Sequence, residues 1–113
     1  MRRGEEYQLK IELLYFEGCP GFRPTLSLLQ QVLDEEGIQT RVQTIHVESE
    51  ESAKKYRFLG SPSIRVDGED IEPEARSSTD FGMKCRIYDN EGAPRGVPSK
   101  SKIREAIHKG EKK

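Results

Sequence analysis

The sequence predicts a single α/β domain over residues 1–113. Its elements follow the order β-α-β-α-β-β-α, with a four-stranded mixed sheet and helices on both faces. Two observations predict this class: short apolar runs alternate with stretches of helical periodicity, and glycines and prolines punctuate them. The length of 113 residues suits one domain with a modest core. We expect residues 1–7 and 110–113 to be frayed ends.

The first half of the chain predicts a strand, a helix and a second strand. Residues 8–16 end in a continuous apolar run, which is typical of a strand covered on both faces. A helix is predicted over residues 22–36, and the second strand over residues 38–47. Because a helix connects them, we expect the two strands to lie parallel in a right-handed unit. The helix prediction rests on apolar residues at helical spacing: Phe22, Leu26, Leu29, Val32 and Leu33.

A short helix and a third strand follow. The helix is predicted over residues 50–58, with Ser49 as its N-cap. The strand is predicted over residues 63–66. Asp67-Gly68 then forms a turn signal, which indicates that the third and fourth strands pair as an antiparallel hairpin.

The last third of the chain has weaker signals. Residues 69–82 have no useful period and are predicted to form a long surface loop. A fourth strand is predicted over residues 83–89, because its apolar and polar residues alternate. The last helix is predicted over residues 100–109, with Ser99 as its cap and Gly110 as its stop. One strand face would carry Met83, Cys85 and Ile87, and the other Lys84, Arg86 and Tyr88.

Composition narrows the classes of partner. Charged residues make up 35% of the chain, yet the net charge is −1, which argues against bulk electrostatic binding of nucleic acid. No run approaches the ~18 apolar residues of a membrane helix, and no signal-peptide core precedes the first strand. We therefore expect a cytoplasmic monomer that binds neither nucleic acid nor membrane. In the cytoplasm its two cysteines would be reduced.

Cys19 is the leading candidate for chemistry. Gly18-Cys19-Pro20 joins the first strand to the first helix, where unpaired N–H groups and the helix dipole favour thiolate over thiol. Pro20 suits a helix entry, and Arg23 is placed to favour a thiolate or an anionic substrate. A Cys-x-x-Cys motif would have its second cysteine at position 22, but the residue there is Phe22. The alternative for Cys19 is that it is a small apolar residue that closes a turn. The alternative for Arg23 is that it is a solvated surface arginine.

These features resemble the thioredoxin-like superfamily over residues 8–110. The resemblance rests on the element order, on Gly-Cys-Pro at residues 18–20 and on Gly-Ser-Pro-Ser-Ile at residues 60–64. The chain also resembles small bacterial thioredoxin-like proteins with a single cysteine in that motif, some of which are described as alkylmercury lyase-like. The resemblance implies that Cys19 is the nucleophile and that a cis Pro62 opens the third strand beside it. It also implies that Ser61 offers free backbone groups to an extended peptide substrate, with Pro20 and Arg23 lining the same groove.

The resulting hypothesis is thiol–disulfide exchange by a single cysteine, acting on a protein or small-molecule thiol or disulfide. Cys85 is the one candidate for a resolving thiol within the chain, although its predicted strand face favours a buried, inert residue. Two alternatives stay open: Cys19 and Cys85 could bind a soft metal ion or organomercury, or the domain could be a non-catalytic interaction scaffold. No cofactor is expected. His46 and His108 have no metal-ligand spacing and are predicted to lie on the surface.

Overall fold

The structure is a computed structural model that describes residues 9–90 and 92–111. The predicted frayed segment at residues 1–7 lies outside them. The described elements are β1 Ile11–Tyr15, α1 Phe22–Glu35, β2 Val42–His46, α2 Glu50–Lys55, β3 Ser63–Val66, β4 Glu69–Asp70, β5 Tyr88–Asn90, β6 Ala93–Arg95 and α3 Lys100–Glu111, with a 3₁₀ turn at Pro73–Ala75. Among the described residues, none of the helices has the length and apolar character needed to cross a membrane.

The main sheet has four strands in the order β2-β1-β3-β4. β1 pairs parallel with β2 and antiparallel with β3, and β3 pairs antiparallel with β4. Ile11 lies opposite Val42 on one side and Val66 on the other, so β1 is central. The predicted four-stranded mixed sheet and the parallel pairing of the first two strands are therefore confirmed.

Helices cover both faces of this sheet. Successive side chains of a strand point to opposite faces, so Leu13 and Leu14 of β1 enter different clusters. Leu14 packs in a smaller cluster with Ala53 of α2 and Phe58. The larger cluster joins α1 and α3 to the other face through buried residues that include Ile11, Leu13, Leu29, Val32, Ile64, Ile103 and Ile107.

The predicted N-caps of two helices are confirmed. The Ser49 hydroxyl accepts a hydrogen bond from the backbone N–H of Ser52 at 3.1 Å, at the start of α2. The Ser99 hydroxyl accepts from Lys102 N–H at 3.1 Å, at the start of α3. Both contacts satisfy first-turn donors that would otherwise have no partner within the helix.

The prediction of the fourth strand was wrong in position. The fourth strand of the sheet is β4, directly after the Asp67-Gly68 turn, and residues 73–75 form a 3₁₀ turn, so residues 69–82 are not one long loop. Residues 83–89 do not join the sheet as a strand. Within the described residues, their end belongs to β5, which pairs only with β6 in a separate hairpin.

The two faces of residues 83–88 were also predicted the wrong way round. Cys85 is exposed and Ile87 is 60% exposed. Arg86 and Tyr88 are buried instead. The physical reason is long-range pairing: Arg86 meets acidic partners from β4 and the residues after it, which alternation within the segment does not reveal.

Gly110 does not stop the last helix, because α3 continues through it to Glu111. A Cβ at Gly110 would lie 2.8 Å from Cδ2 of Leu9 and 2.9 Å from Cγ1 of Val66. The glycine therefore lets the end of α3 pack closely on the sheet. The predicted fray at residues 110–113 begins within this helix, and residues 112–113 lie outside the described chain.

Candidate functional site

Cys19 lies in the turn between β1 and α1 and is partly buried. Its backbone N–H donates to the Phe16 carbonyl, and its own carbonyl accepts from Phe22 N–H, both at 3.3 Å. The N-cap of α1 is Gly21, which has no side chain to accept from the first-turn N–H groups. The strand end and the helix start therefore hold the Cys19 backbone from both sides.

Pro62 packs against this helix start. The Ser61–Pro62 peptide bond is cis, as the resemblance implied, and β3 begins at the next residue. A Cβ added at Gly21 would lie 3.3 Å from Cδ of Pro62 and would overlap the carbonyl oxygen of Gly96. Only a glycine fits between them, so the residue two positions after Cys19 rests directly on Pro62.

Tyr88 lies beside the same junction. Its hydroxyl donates to the Pro62 carbonyl at 2.6 Å, and its side chain is fully buried. Burial raises the pKa of Tyr88 above its ordinary value; the Arg86 guanidinium opposes the rise, and the negative charges of Asp70 and Glu72 add to it. The phenol therefore stays a neutral donor to the Pro62 carbonyl.

Ser61 corrects an expectation. Its backbone N–H donates to the Lys84 carbonyl, and its carbonyl accepts from Arg86 N–H, both at 2.9 Å. Its hydroxyl accepts from Phe16 N–H at 3.3 Å. The backbone groups that the resemblance offered to a substrate peptide are therefore already paired within the chain.

Cys85 sits opposite Ser61 in an isolated parallel bridge. It is exposed, so the prediction of a buried thiol was wrong. Cys19 and Cys85 are both free thiols, not a disulfide. The structure thus brings Cys85 next to Ser61, and Gly21 next to Pro62.

A buried ionic cluster holds residues 84–88, and the sequence did not reveal it. Arg86 is 7% exposed and binds Asp70, which is 6% exposed, through two nitrogen–oxygen contacts of 2.7 Å each. The Arg86 guanidinium also donates to Glu72 and to the Ser63 hydroxyl, each at 3.0 Å. It lies 4.6 Å from the centroid of the Tyr88 ring.

The electrostatics of Arg86 follow from these partners. Burial alone would lower the pKa of Arg86, but the hydrogen bonds that its guanidinium donates to the Asp70 carboxylate, with the other negative partners, outweigh burial and raise the pKa above its ordinary value. Lys102 donates to the second carboxylate oxygen of Glu72 at 2.9 Å, so two cations face two carboxylates. The positive and negative charges of the cluster therefore balance, and the cluster fixes the segment that pairs with Ser61.

A cavity of about 590 Å³ opens at the carboxyl ends of β1 and β2, on the side of Cys19. The Tyr15 ring stacks on Phe22 with centroids 4.0 Å apart and on His46 with centroids 5.3 Å apart. His46, predicted as a surface residue, is exposed and lines this cavity. The walls are formed by Tyr15, Phe16, Glu17, Gly18, Cys19, Pro20, Phe22, Arg23 and His46.

The predicted groove residues therefore divide into two sets. Pro20 and Arg23 line the cavity together with Cys19. Ser61 and Pro62 are buried behind the helix start. In the described part of the chain, histidine, cysteine and acidic side chains form no group of three or more that could hold a metal ion.

Comparison with known proteins adds no relative to this description. No protein-family model matches the chain, and neither a curated protein nor a solved structure matches it significantly. The structure is a mixed α/β domain in which the turn that contains Cys19 and Gly21 packs against the cis Pro62.

Proposed function

We propose that the chain is a thioredoxin-like domain that performs thiol–disulfide exchange through Cys19. One observation carries the proposal: the turn with Cys19 leads into a helix whose N-cap contacts the cis Pro62 at the start of β3. The strand order β2-β1-β3-β4, with parallel β1 and β2, supports the same assignment.

The proposed chemistry needs no cofactor. The Cys19 thiolate attacks one sulfur of a disulfide, and a mixed disulfide with Cys19 forms as the other sulfur leaves as a thiolate that takes up a proton. An external thiol then attacks the substrate sulfur of the mixed disulfide, which releases the Cys19 thiolate and leaves that thiol joined to the substrate half as a disulfide. In the alternative, Cys85 attacks the Cys19 sulfur, the substrate half leaves as a thiolate, and an external dithiol reduces the resulting Cys19–Cys85 disulfide and is itself oxidised to a disulfide.

The test compares the two cysteines in one protein. The wild type and the Cys85→Ser variant are expected to form a mixed disulfide with glutathione disulfide at Cys19, and to form it faster than Cys85 does in a Cys19→Ser variant. An equal or higher rate at Cys85 would contradict the proposal.

The same variants separate the alternatives. A two-thiolate site for a soft metal predicts one Hg²⁺ bound per chain, with binding weakened strongly by either substitution. Thiol–disulfide exchange at Cys19 predicts instead that Cys85→Ser keeps the reaction rate of the wild type, while Cys19→Ser keeps only the slower mixed-disulfide formation at the exposed Cys85. A scaffold role predicts that Cys19→Ser leaves the protein's biological activity unchanged.

A further inference from the structure

The sheet edge next to Pro62 is closed by the chain itself. Residues 84–86, here called the strap, occupy both backbone hydrogen-bonding groups of Ser61 through Lys84 and Arg86. An extended peptide that joins a sheet edge needs such free N–H and C=O groups. At Ser61 it would have to displace the strap first.

The strap is fastened on both sides of its contact with Ser61. At its carboxyl end, Arg86 is anchored in the buried cluster with Asp70 and Glu72. At its amino end, the backbone N–H of Gly82 donates to the Phe58 carbonyl at 3.0 Å. Displacing the strap would therefore pull a buried charge away from its partners, which is costly.

Gly60 allows the strap to lie this close. Its φ is +119°, a value that side chains disfavour. A Cβ at Gly60 would lie 3.1 Å both from the Lys84 carbonyl oxygen and from Cβ of Arg86. The backbone conformation of Gly60 and its lack of a side chain therefore allow the strap to pair with Ser61.

Cys19 also lines an open cavity of about 590 Å³. The aromatic side chains of Tyr15 and Phe22 form part of its walls, with Arg23 and His46 beside them. Its volume falls within the range of about 300–1,000 Å³ that is usual for small-molecule sites. The backbone groups of Ser61 are therefore occupied by the chain, whereas residues 84–86 do not line the cavity at Cys19.

We propose that the strap is a built-in occupant of the peptide-binding edge, so that Cys19 exchanges with low-molecular-weight disulfides and not with extended protein segments. This rests on the proposed function. The substrate enters through the cavity, the Cys19 thiolate attacks its disulfide, and the released small thiolate leaves the same way with a proton. An external low-molecular-weight thiol then restores Cys19, and the two small thiols leave joined as a disulfide.

The first experiment compares two disulfides at two cysteines. The rates of mixed-disulfide formation with 2-hydroxyethyl disulfide and with a disulfide-capped extended peptide are measured by mass spectrometry. Cys19 is followed in the Cys85→Ser variant and the exposed Cys85 in the Cys19→Ser variant. Cys19 is expected to disfavour the peptide about tenfold more than Cys85 does. Equal discrimination by the two cysteines would overturn the proposal.

The second measurement does not depend on reactivity. Hydrogen exchange of the Ser61 and Arg86 amides is expected to be as slow as that of the Ile71 amide, which donates to Ile64 at 3.1 Å. An excess of the peptide should not change it. Exchange of the Ser61 and Arg86 amides at the rate of an unstructured chain would contradict the pairing of the strap with Ser61. If Cys19 reacts with neither disulfide while both amides stay protected, the proposed function fails and the strap stands.

A variant opens the strap deliberately. Arg86→Lys keeps a charge but cannot form the paired contacts with Asp70, so the Arg86 position should exchange faster and the discrimination against the peptide should fall. Circular dichroism checks that the variant is folded. Faster exchange with unchanged discrimination would contradict the proposal, and if the Arg86→Lys variant does not fold, the first two measurements decide it.

Discussion

Two regions of the molecule are held together in different ways. The first region, residues 9–66, supplies three strands of the main sheet and the helices α1 and α2. Its core consists of aliphatic side chains such as Ile11, Leu13 and Leu29, all fully buried. The second region, residues 69–90 and 92–98, has Ile71 and Tyr88 as its buried hydrophobic side chains and is anchored by the cluster around Arg86.

The difference shows how each kind of contact is encoded. Aliphatic burial leaves a periodic pattern within each segment, and the first region was predicted close to its observed bounds. Ionic pairing leaves no period, because Arg86 and Asp70 are separated by 16 residues and each resembles a surface charge. The strap that closes the edge at Ser61 depends on this second kind of contact.

Loss of Arg86 is expected to have the largest effect. Arg86→Ala removes the cation that makes both paired contacts with the buried Asp70 carboxylate and leaves Lys102 as the partner of Glu72, which should lower the free energy of unfolding by about 3–5 kcal/mol. Urea unfolding measures it. The control is Arg104→Ala, which removes a partly exposed arginine from its pairs with Glu35 and Glu36 and should cost less than about 1 kcal/mol. Similar losses in both variants would mean that the cluster is not the anchor.

Gly21→Ala tests the contact between the two regions. The added methyl would overlap the Gly96 carbonyl and press on Pro62, so the free energy of unfolding should fall by about 1–3 kcal/mol. Alkylation of Cys19 should also change in rate, because the turn must shift. Ser27→Ala, at an exposed position of the same helix, is the control and should change neither quantity. An unchanged Gly21→Ala variant would contradict the close approach.

Tyr88→Phe removes one buried hydrogen bond to Pro62 and should cost about 1 kcal/mol. It should also alter the pH dependence. The pKa of Tyr88 is raised by burial, so its contribution is complete below the unfolded tyrosine pKa of ~10 and is lost as the pH rises further. The variant should lose less stability above pH ~10 than the wild type.

The matched control for this alkaline effect is Tyr56→Phe, because Tyr56 is 38% exposed. That variant should follow the wild type in thermal unfolding at every pH. If both tyrosine variants behave alike, Tyr88 is not the source of the alkaline loss.

Glu35→Gln should have the smallest effect. Hydrogen bonds from Lys100 and then Arg104 lower the pKa of Glu35, so its contribution is present above the unfolded glutamate pKa and is lost as the pH falls through the lowered value. The groups are exposed, so the difference from wild type should be small at neutral pH and should vanish in high salt. A difference that persists in high salt would contradict a screened surface pair.

Local pattern explains what could be predicted of the fold. The apolar period of α1 and the exact span of β3 followed from the sequence, as did the caps Ser49 and Ser99. The fourth strand could not be predicted, because β4 consists of two acidic residues with no strand signal of their own. Its place is decided by pairing with β3 and by the meeting of Asp70 with Arg86.

The candidate site divides in the same way. Cys19 was found from its position between an apolar run and a helical pattern, and the contact of its turn with the proline was expected from the resemblance. The sequence did not predict that the backbone groups of Ser61 are paired within the chain or that Cys85 is exposed. Both depend on which side of residues 84–88 faces inward. Alternation within that segment favoured the wrong side, since a buried arginine is stable only with partners that lie elsewhere in the chain.

By itself, then, the sequence determined the order of most elements, the central strand and the placement of Cys19 at a helix start, because these depend on contacts within a turn or two of chain. Only the tertiary structure decided that the strap fills the edge beside Pro62 and that the cavity beside Tyr15 and His46 stays open. The closed edge follows from where residues 84–88 dock. That docking depends on long-range pairing of buried charges, which no local period records.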